Sequence, residues 1–290
     1  MSGFLKKRMA FNPQIGQTLA QISSQELYNK LYDLSEGFFT RQSASSQIRE
    51  AEAYLAAAFK NFGLNVTTHS YRSDFAANIC ADIVGERYPH LLVVTGAHYD
   101  SRSTNTDDPT LRAPGAVDNG SGTVGMLEMA RVLAASNLSF YNTIRICVWT
   151  GEEQGLLGSD AYAKMIKAQG AEVIAYFNAD MTGYQLPGTS ITMGMKDRTI
   201  TEWLLDLSYE ITATYVPSLP VQLSSSCCSD YISFYNLGYP SIGYFQNAGA
   251  ASDYPDYHKS TDTIDKNNFE QMKLETQAVL AAVMTFAIPI

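Results

Sequence analysis

The sequence predicts an α/β protein: a single-domain, three-layer α/β/α sandwich around a mixed, largely parallel central sheet. Three observations predict it. Three short, continuous apolar runs, His90–Ala97, Thr143–Thr150 and Ala171–Ala179, suit strands covered on both faces, as strands in parallel sheets are. Helical patterns at Thr123–Ala135 and Leu156–Gln169 lie between them, each preceded by glycine, and this alternation is that of a wound α/β sheet. Finally, the 290 residues contain no internal repeat, no long linker and no low-complexity tract beyond Ser224–Ser226, so residues 1–290 are expected to form one domain.

Residues 1–15 read as a flexible N-terminal segment. Residues 16–62 read as helical, because Gln25–Asp33 and Ile48–Phe62 repeat apolar residues at three- and four-residue spacings and Gly63 supplies a stop. Leu64–Val84 alternates in places and predicts one or two strands. Beyond the apolar runs, Ser190–Met195 predicts a strand, Thr199–Thr214 a helix, Ser241–Phe245 a late strand and Asn267–Phe286 a closing amphipathic helix.

Composition bounds the function. A content of 46% hydrophobic and 17% charged residues is that of a globular chain. A net charge of −9 argues against a nucleic-acid or anionic-membrane partner. No apolar run approaches the roughly 20 residues that span a bilayer. A monomer is expected. The first residues, Met-Ser-Gly-Phe-Leu-Lys-Lys-Arg-Met-Ala, carry the charges of a signal peptide without the apolar stretch that should follow. They leave two expectations, a cytoplasmic protein or an extracellular one whose leader is missing. Of the four cysteines, Cys227 and Cys228 are neighbours whose Cα atoms, about 3.8 Å apart, are too close for an unstrained bridge. All four, Cys80 and Cys147 included, are expected to be free thiols. Sequons begin at Asn65, Asn119 and Asn137, and Asn119 follows a candidate metal ligand, which argues against its glycosylation.

In open α/β sheets, ligands gather outside the carboxyl ends of the strands. His98, the pair Glu152 and Glu153, and Asp180 follow strands predicted to end near Ala97, Thr150 and Ala179, so chain-distant groups converge on one edge. Asp118 joins them from a Gly-rich turn opening a helix, and His258 from Tyr257-His-Lys-Ser-Thr-Asp-Thr263. Taken singly, such residues are usually surface or structural features. Together, imidazole and carboxylate suit zinc. Two zinc ions sharing one carboxylate could polarise a scissile carbonyl and generate a hydroxide nucleophile. A carboxylate outside the ligand set would then carry the water's proton to the leaving amine. The Gly-rich turn lacks the glycine spacing and lysine of a nucleotide loop.

The joint pattern resembles the secreted dizinc aminopeptidases, the bacterial and fungal leucyl aminopeptidase type of zinc-dependent exopeptidase. The resemblance runs through Gly96-Ala-His-Tyr-Asp-Ser101, Ala113-Pro-Gly-Ala-Val-Asp-Asn-Gly-Ser-Gly122, Trp149-Thr-Gly-Glu-Glu-Gln-Gly-Leu-Leu-Gly-Ser159, Asn178-Ala-Asp-Met-Thr-Gly-Tyr184 and Tyr257-His-Lys-Ser-Thr-Asp262, most of the chain beyond residue 45. It implies the phosphorylase/hydrolase-like form of the sandwich and two Zn²⁺ per chain. Asp118 would bridge the ions, with His98 and Asp180 on one and Glu153 and His258 on the other. It also implies Glu152 as general base, Asp100 as the acid orienting His98, and a cis peptide at Asp118–Asn119. The substrate would be a peptide or protein N-terminus, with Met181, Phe245 and Tyr257 lining the pocket for an apolar first side chain. Ordinary core packing accounts for those three residues equally well.

The chain departs from the bacterial pattern in Ser224-Ser-Ser-Cys-Cys-Ser-Asp-Tyr231. Ser224 stands where the family's first cysteine would be, Ser226 at its intermediate-stabilising tyrosine and Tyr231 at its histidine. Those changes touch transition-state stabilisation and the pocket, not the metals. Two rival readings share the fold: a glutaminyl-peptide cyclase with a similar ligand set and one zinc, and a non-catalytic receptor-like binding domain.

Overall fold

A computed structural model describes residues 9–185, 191–194, 200–224, 228–246 and 251–290. Its strands are β1 (Asn65–His69), β2 (Asn78–Ile83), β3 (Tyr88–His98), β4 (Asn142–Trp149), β5 (Glu172–Asp180), β6 (Ile191–Gly194), β7 (Val221–Ser224) and β8 (Ser241–Phe245). They form one eight-stranded sheet in the order β1-β2-β4-β3-β5-β8-β6-β7. The central strands β4, β3, β5 and β8 are parallel. β1 and β2 run antiparallel at one edge, and β6 pairs antiparallel with β8 at the other.

The two faces of the sheet explain the unbroken apolar runs. Side chains alternate along a strand, and here both sides meet a core. On β4, Ile144, Ile146 and Val148 enter the larger core, whereas Cys147 and Trp149 enter the smaller. On β5, Ala175, Phe177 and Ala179 enter the larger core and Tyr176 the smaller, while Val173, before a register shift, also enters the smaller. The larger core is closed by α1 (Pro13–Leu19), α2 (Ser24–Ser35), α3 (Gln47–Asn61), α4 (Gly122–Ala135), α6 (Glu202–Tyr215) and α8 (Phe269–Ala287). The smaller core lies under α5 (Leu157–Ala168) and α7 (Tyr231–Tyr235).

Local chemistry sets most boundaries. Ser23 caps α2 by accepting from the Glu26 N–H, and Asn268 caps α8 by accepting from those of Glu270 and Gln271. The predicted helices and the strands around the site form. Leu64–Val84 resolves into two strands, and of Ser190–Met195 the end residues lie outside the described ones.

Three expectations are corrected. The segment expected to be flexible through residue 15 is ordered at its end: Pro13 opens α1, Asn12 accepts from the Gln14 N–H, and Ile15 is buried in the core. The stretch read as helical through residue 62 breaks between Ser35 and Gln47, where the chain wraps a buried arginine, Arg41. β7 and α7 carry too few residues for a periodic signal. The thiols are not free. Cys80 and Cys147 face each other in the β2–β4 register and form a disulfide with Cα atoms 4.1 Å apart, and Cys228 is also disulfide-bonded. Cys227 lies outside the described residues. Sequence spacing could not reveal the Cys80–Cys147 pair, because 67 residues separate its members and only strand pairing brings them together.

One buried acid lies away from the strand ends. Glu275 on α8 is fully buried, accepts from the Gln271 side chain, and has its second oxygen unpartnered. Burial pushes its carboxyl well above the ordinary 4.5, with the Gln271 bond opposing. A folded-state value above the unfolded one costs nothing while both states are protonated, and costs more as pH rises past the unfolded value. Glu275→Gln should therefore stabilise the protein at neutral pH, with the gain shrinking towards pH 4. Denaturant midpoints across that range test this, and a pH-independent difference would refute it.

Candidate metal centre

The parallel strands deliver their carboxyl ends to one edge, and the sequence-predicted groups meet there. His98 is the last residue of β3 and Asp180 of β5, while Glu152 and Glu153 follow β4 by a short turn. Asp118 comes from the turn before α4, and His258 from a loop before α8. Nε2 of His98 lies 3.4 Å from Asp118 Oδ1, 3.5 Å from Asp180 Oδ1 and 3.9 Å from Glu152 Oε2. Nε2 of His258 lies 3.0 Å from Asp118 Oδ2 and 3.1 Å from Glu153 Oε2. Two ligand triads result, His98–Asp118–Asp180 and Asp118–Glu153–His258, the atoms of each within 4.8 Å of one another. They share Asp118, one oxygen facing each imidazole.

Each ligand is held by its own turn. Asp262 accepts from the backbone N–H groups of Val117 (2.9 Å) and Asp118 (3.0 Å) and from the Tyr254 hydroxyl (2.8 Å). Gly115 precedes them with φ +50, and a Cβ there would stand 2.4 Å from that of Ser101. The Asp118–Asn119 peptide is cis, and the Asn119 amide donates to Ala179 O while accepting from Gly122 N and Met181 N. Asn119 is thus buried, closed to glycosylation.

Asp100 serves two ligands at once. Its carbonyl lies 3.1 Å from His98 Nδ1 and its carboxylate 3.5 Å away. The carboxylate also accepts from Ser43 Oγ (2.9 Å), Glu153 N (3.2 Å) and Glu152 N (3.4 Å). The acid expected to orient His98 therefore also anchors the turn bearing both glutamates.

Burial and crowding set the charges. Burial works against the ionised form of Asp118, but bonds to His258 and His98 outweigh it and hold the carboxyl below its usual range. Burial, with Asp118 adding, pushes Glu153 up to about 7 against the pull of His258. Glu152 is raised well above its ordinary value by burial, and by Asp230, Glu153 and Asp180, against His98. For both histidines burial opposes protonation, yet the acids prevail: Glu152 and Asp180 raise His98, and Asp118 and Glu153 raise His258 to about 9. The cluster holds more negative charge than its own imidazoles can neutralise. Buried oxygens of Asp180 and Glu153 lack hydrogen-bond partners, so the donor set fits divalent cations, and imidazole with carboxylate favours zinc.

Of the predicted pocket residues, Met181 packs with Val117 and Tyr254, Tyr184 and Tyr257 against them. Tyr257 also stacks on the His258 ring, centroids 3.5 Å apart. Phe245 is paired with Asp180 across β5 and β8 and packs against Tyr231. All three border the cluster. Ser226 lies outside the described residues.

Sequence reasoning missed four supporting residues. Asp262 stood inside a quoted motif without a role. Arg41 is fully buried and donates to the carbonyls of Tyr99 (2.8 Å), Leu34 (3.1 Å), Gly115 (2.8 Å) and Pro114. Burial lowers its guanidinium to about 10, opposed by Asp262, Asp100 and Asp118. Arg102, just past the first motif, contacts His258 Nδ1 and lies 3.3 Å from Glu153 Oε2. Asp230 is buried near His98, and burial raises it to about 7 against the pull of His98 and Ser159. Of these, Asp262, Arg102 and Asp230 had a signal, their places in or beside the quoted motifs, and Arg41 had none.

A sheet with parallel central strands that gathers imidazole and carboxylate groups at their carboxyl ends fits a metal-dependent enzyme. Residues 78–283 match peptidase family M28. A probable leucine aminopeptidase 1 of Trichophyton verrucosum is 32% identical over 93% of this chain and 72% of its own length. A probable leucine aminopeptidase of Arthroderma otae is 38% identical over 60% of this chain and 48% of its own, so the match spans about half of that relative. The chain belongs to peptidase family M28 and is a peptidase of the zinc aminopeptidase type. Solved structures bear out the fold: the LapA aminopeptidase of Legionella pneumophila superposes with a TM-score of 0.84 at 22% identity, covering 98% of this chain and 78% of that one. The glutaminyl cyclase of Porphyromonas gingivalis reaches 0.78 at 20%, covering 92% and 99%, so the sheet alone does not separate the two activities. Among the described residues, no helix is long and apolar enough to cross a membrane.

Asp100→Ala and Asp262→Ala should each weaken zinc binding by about 10–100-fold, because they remove groups that orient ligands rather than ligands themselves. Competitive zinc titration checks this, and wild-type affinity in both variants would show that these acids do not support the centre.

Proposed function

We propose that the protein removes N-terminal residues from peptides, using two zinc ions bridged by Asp118. His98 and Asp180 would complete one ion's ligands, Glu153 and His258 the other's. The observation that carries this reading is the pair of triads sharing Asp118, with Glu152 outside both. Bound zinc would supply Lewis acidity towards the scissile carbonyl and acidify a water. Glu152 takes the water's proton on its carboxylate and delivers it to the leaving amine. Its exposure supports that division of labour: the Glu152 side chain is 14% accessible, that of Glu153 only 4%. Asp100 keeps the two apart in direction by gripping both backbone N–H groups.

Met181, Phe245 and Tyr257 favour an apolar first residue on the substrate. The Cys80–Cys147 disulfide supports action outside the reducing cytoplasm.

Two experiments test the proposal. Glu152→Gln keeps shape but cannot accept the proton, so turnover should fall by about 10²–10⁴ with zinc retained, whereas Glu153→Gln should lose metal. The reverse pattern in elemental analysis and kinetics would reverse the two roles. Active protein should hold two zinc ions, cleave a free leucyl peptide, leave its N-acetylated form intact, and release glutamine from a glutaminyl peptide. A single tightly held zinc, with cyclisation of the glutaminyl peptide, would instead establish the cyclase.

A further inference from the structure

The second ring nitrogen of each ligand histidine meets a different kind of partner. A metal-bound imidazole ordinarily donates that N–H to a carboxylate, a carbonyl or water, which fixes its tautomer and strengthens its bond to the metal. His98 follows the rule: its Nδ1 faces the Asp100 carbonyl at 3.1 Å and the carboxylate at 3.5 Å, both acceptors. His258 does not. Its Nδ1 meets Nη2 of Arg102, and a guanidinium carries donors only. The same side chain reaches a second member of that triad, its Nε lying 3.3 Å from Glu153 Oε2. Arg102 thus engages both groups that the Asp118–Glu153–His258 triad does not share with the other. Its own loop holds it there. Nη1 donates to the Thr106 hydroxyl, and the Thr106 carbonyl accepts from the side-chain amides of Gln42 (3.0 Å) and Gln154 (3.4 Å). With 27% of its side chain accessible, the guanidinium also has solvent to move into.

We propose that Arg102 competes with zinc for the Asp118–Glu153–His258 triad and makes the two metal sites unequal, the His98–Asp118–Asp180 site holding its ion tightly and the other loosely. A zinc ion on Glu153 would share that carboxylate with a neighbouring cation. One on His258 Nε2 binds the neutral ring, whose remaining proton on Nδ1 then faces a donor. Each contact suits the guanidinium or the metal, not both. Filling of the second site therefore displaces Arg102 towards solvent, where Thr106 keeps its tether. Occupancy of that site tracks free zinc while the first stays loaded. The assignment rests on the two-zinc reading above.

Stepwise withdrawal of zinc from the loaded, full-length protein by competing chelators tests it, with bound metal as the readout. Wild-type protein should release its two ions in separate steps, with dissociation constants at least about tenfold apart. Glu153→Gln should remove the weak step and Asp180→Asn the tight one, which assigns each step to its triad. Arg102→Gln should tighten the weak step by about 10–100-fold and leave the tight one at its wild-type value. Arg102→Met, which also removes the charge, gives the same reading if the first variant fails to fold. Two equal steps in the wild type would overturn the proposal, as would loss of the tight step in Glu153→Gln. So would a weak step that stays unchanged or weakens further in the arginine variants, the latter because it makes Arg102 a support for His258. Wild-type protein that holds a single ion at saturation would be a failure of the two-zinc reading itself, seen before any variant is compared.

Discussion

The structure depends on holding mutually repelling carboxylates together at the ends of three strands. At about 4 Å and an effective dielectric near 20, each like-charged pair costs on the order of 4 kcal/mol. Asp118, Glu152, Glu153 and Asp180 therefore cannot gather by mutual affinity. They are gathered by backbone: strand ends fix His98 and Asp180, and hydrogen bonds fix the turns that carry the rest.

The supporting network is arranged around that cost. Arg41 places a cation beneath the cluster but spends its hydrogen bonds on the carbonyls of Leu34, Tyr99, Pro114 and Gly115. It thereby knits the segment between α2 and α3 to the loop after β3 and the Asp118 turn, and leaves the ligand oxygens to other partners. Asp100 and Asp262 do the complementary work from the acidic side, accepting from backbone N–H groups, and Asp100 also faces His98 Nδ1 at 3.5 Å. Those N–H groups lie at sharp turns with no secondary-structure partner, where an unmet donor would cost about 1–3 kcal/mol. The same bonds that satisfy the backbone aim the ligands.

The two sides of the centre are built differently. The triads come from strand ends and from turns pinned by buried acids. Met181, Phe245 and Tyr257, the residues proposed to meet the substrate, pack beside the ligands, and the sequence departs from the bacterial pattern in Ser224–Tyr231. Aromatic rings on this side pack on ligands without bonding to them, as Tyr257 does on His258.

Much of this was legible in the linear chain. The unbroken apolar runs of β3, β4 and β5 identify strands buried on both faces, because the pleat needs apolar residues at every position only when both sides meet a core. The carboxyl-end rule then places His98, Glu152, Glu153 and Asp180 together before any coordinates exist. Other features have no local signature. Arg41 is an ordinary arginine in sequence and becomes a buried hub only when residues 73 and 74 positions further on fold against it. Cys80 and Cys147 become partners only through the β2–β4 register. Asp262 acquires its role from Val117 and Asp118, some 145 residues away. The sequence by itself determined the elements and the ligand types, since periodicity and side-chain chemistry are local properties. Tertiary structure decided which groups support them, because hydrogen bonds and disulfides require proximity that only the closed sheet and its loops create.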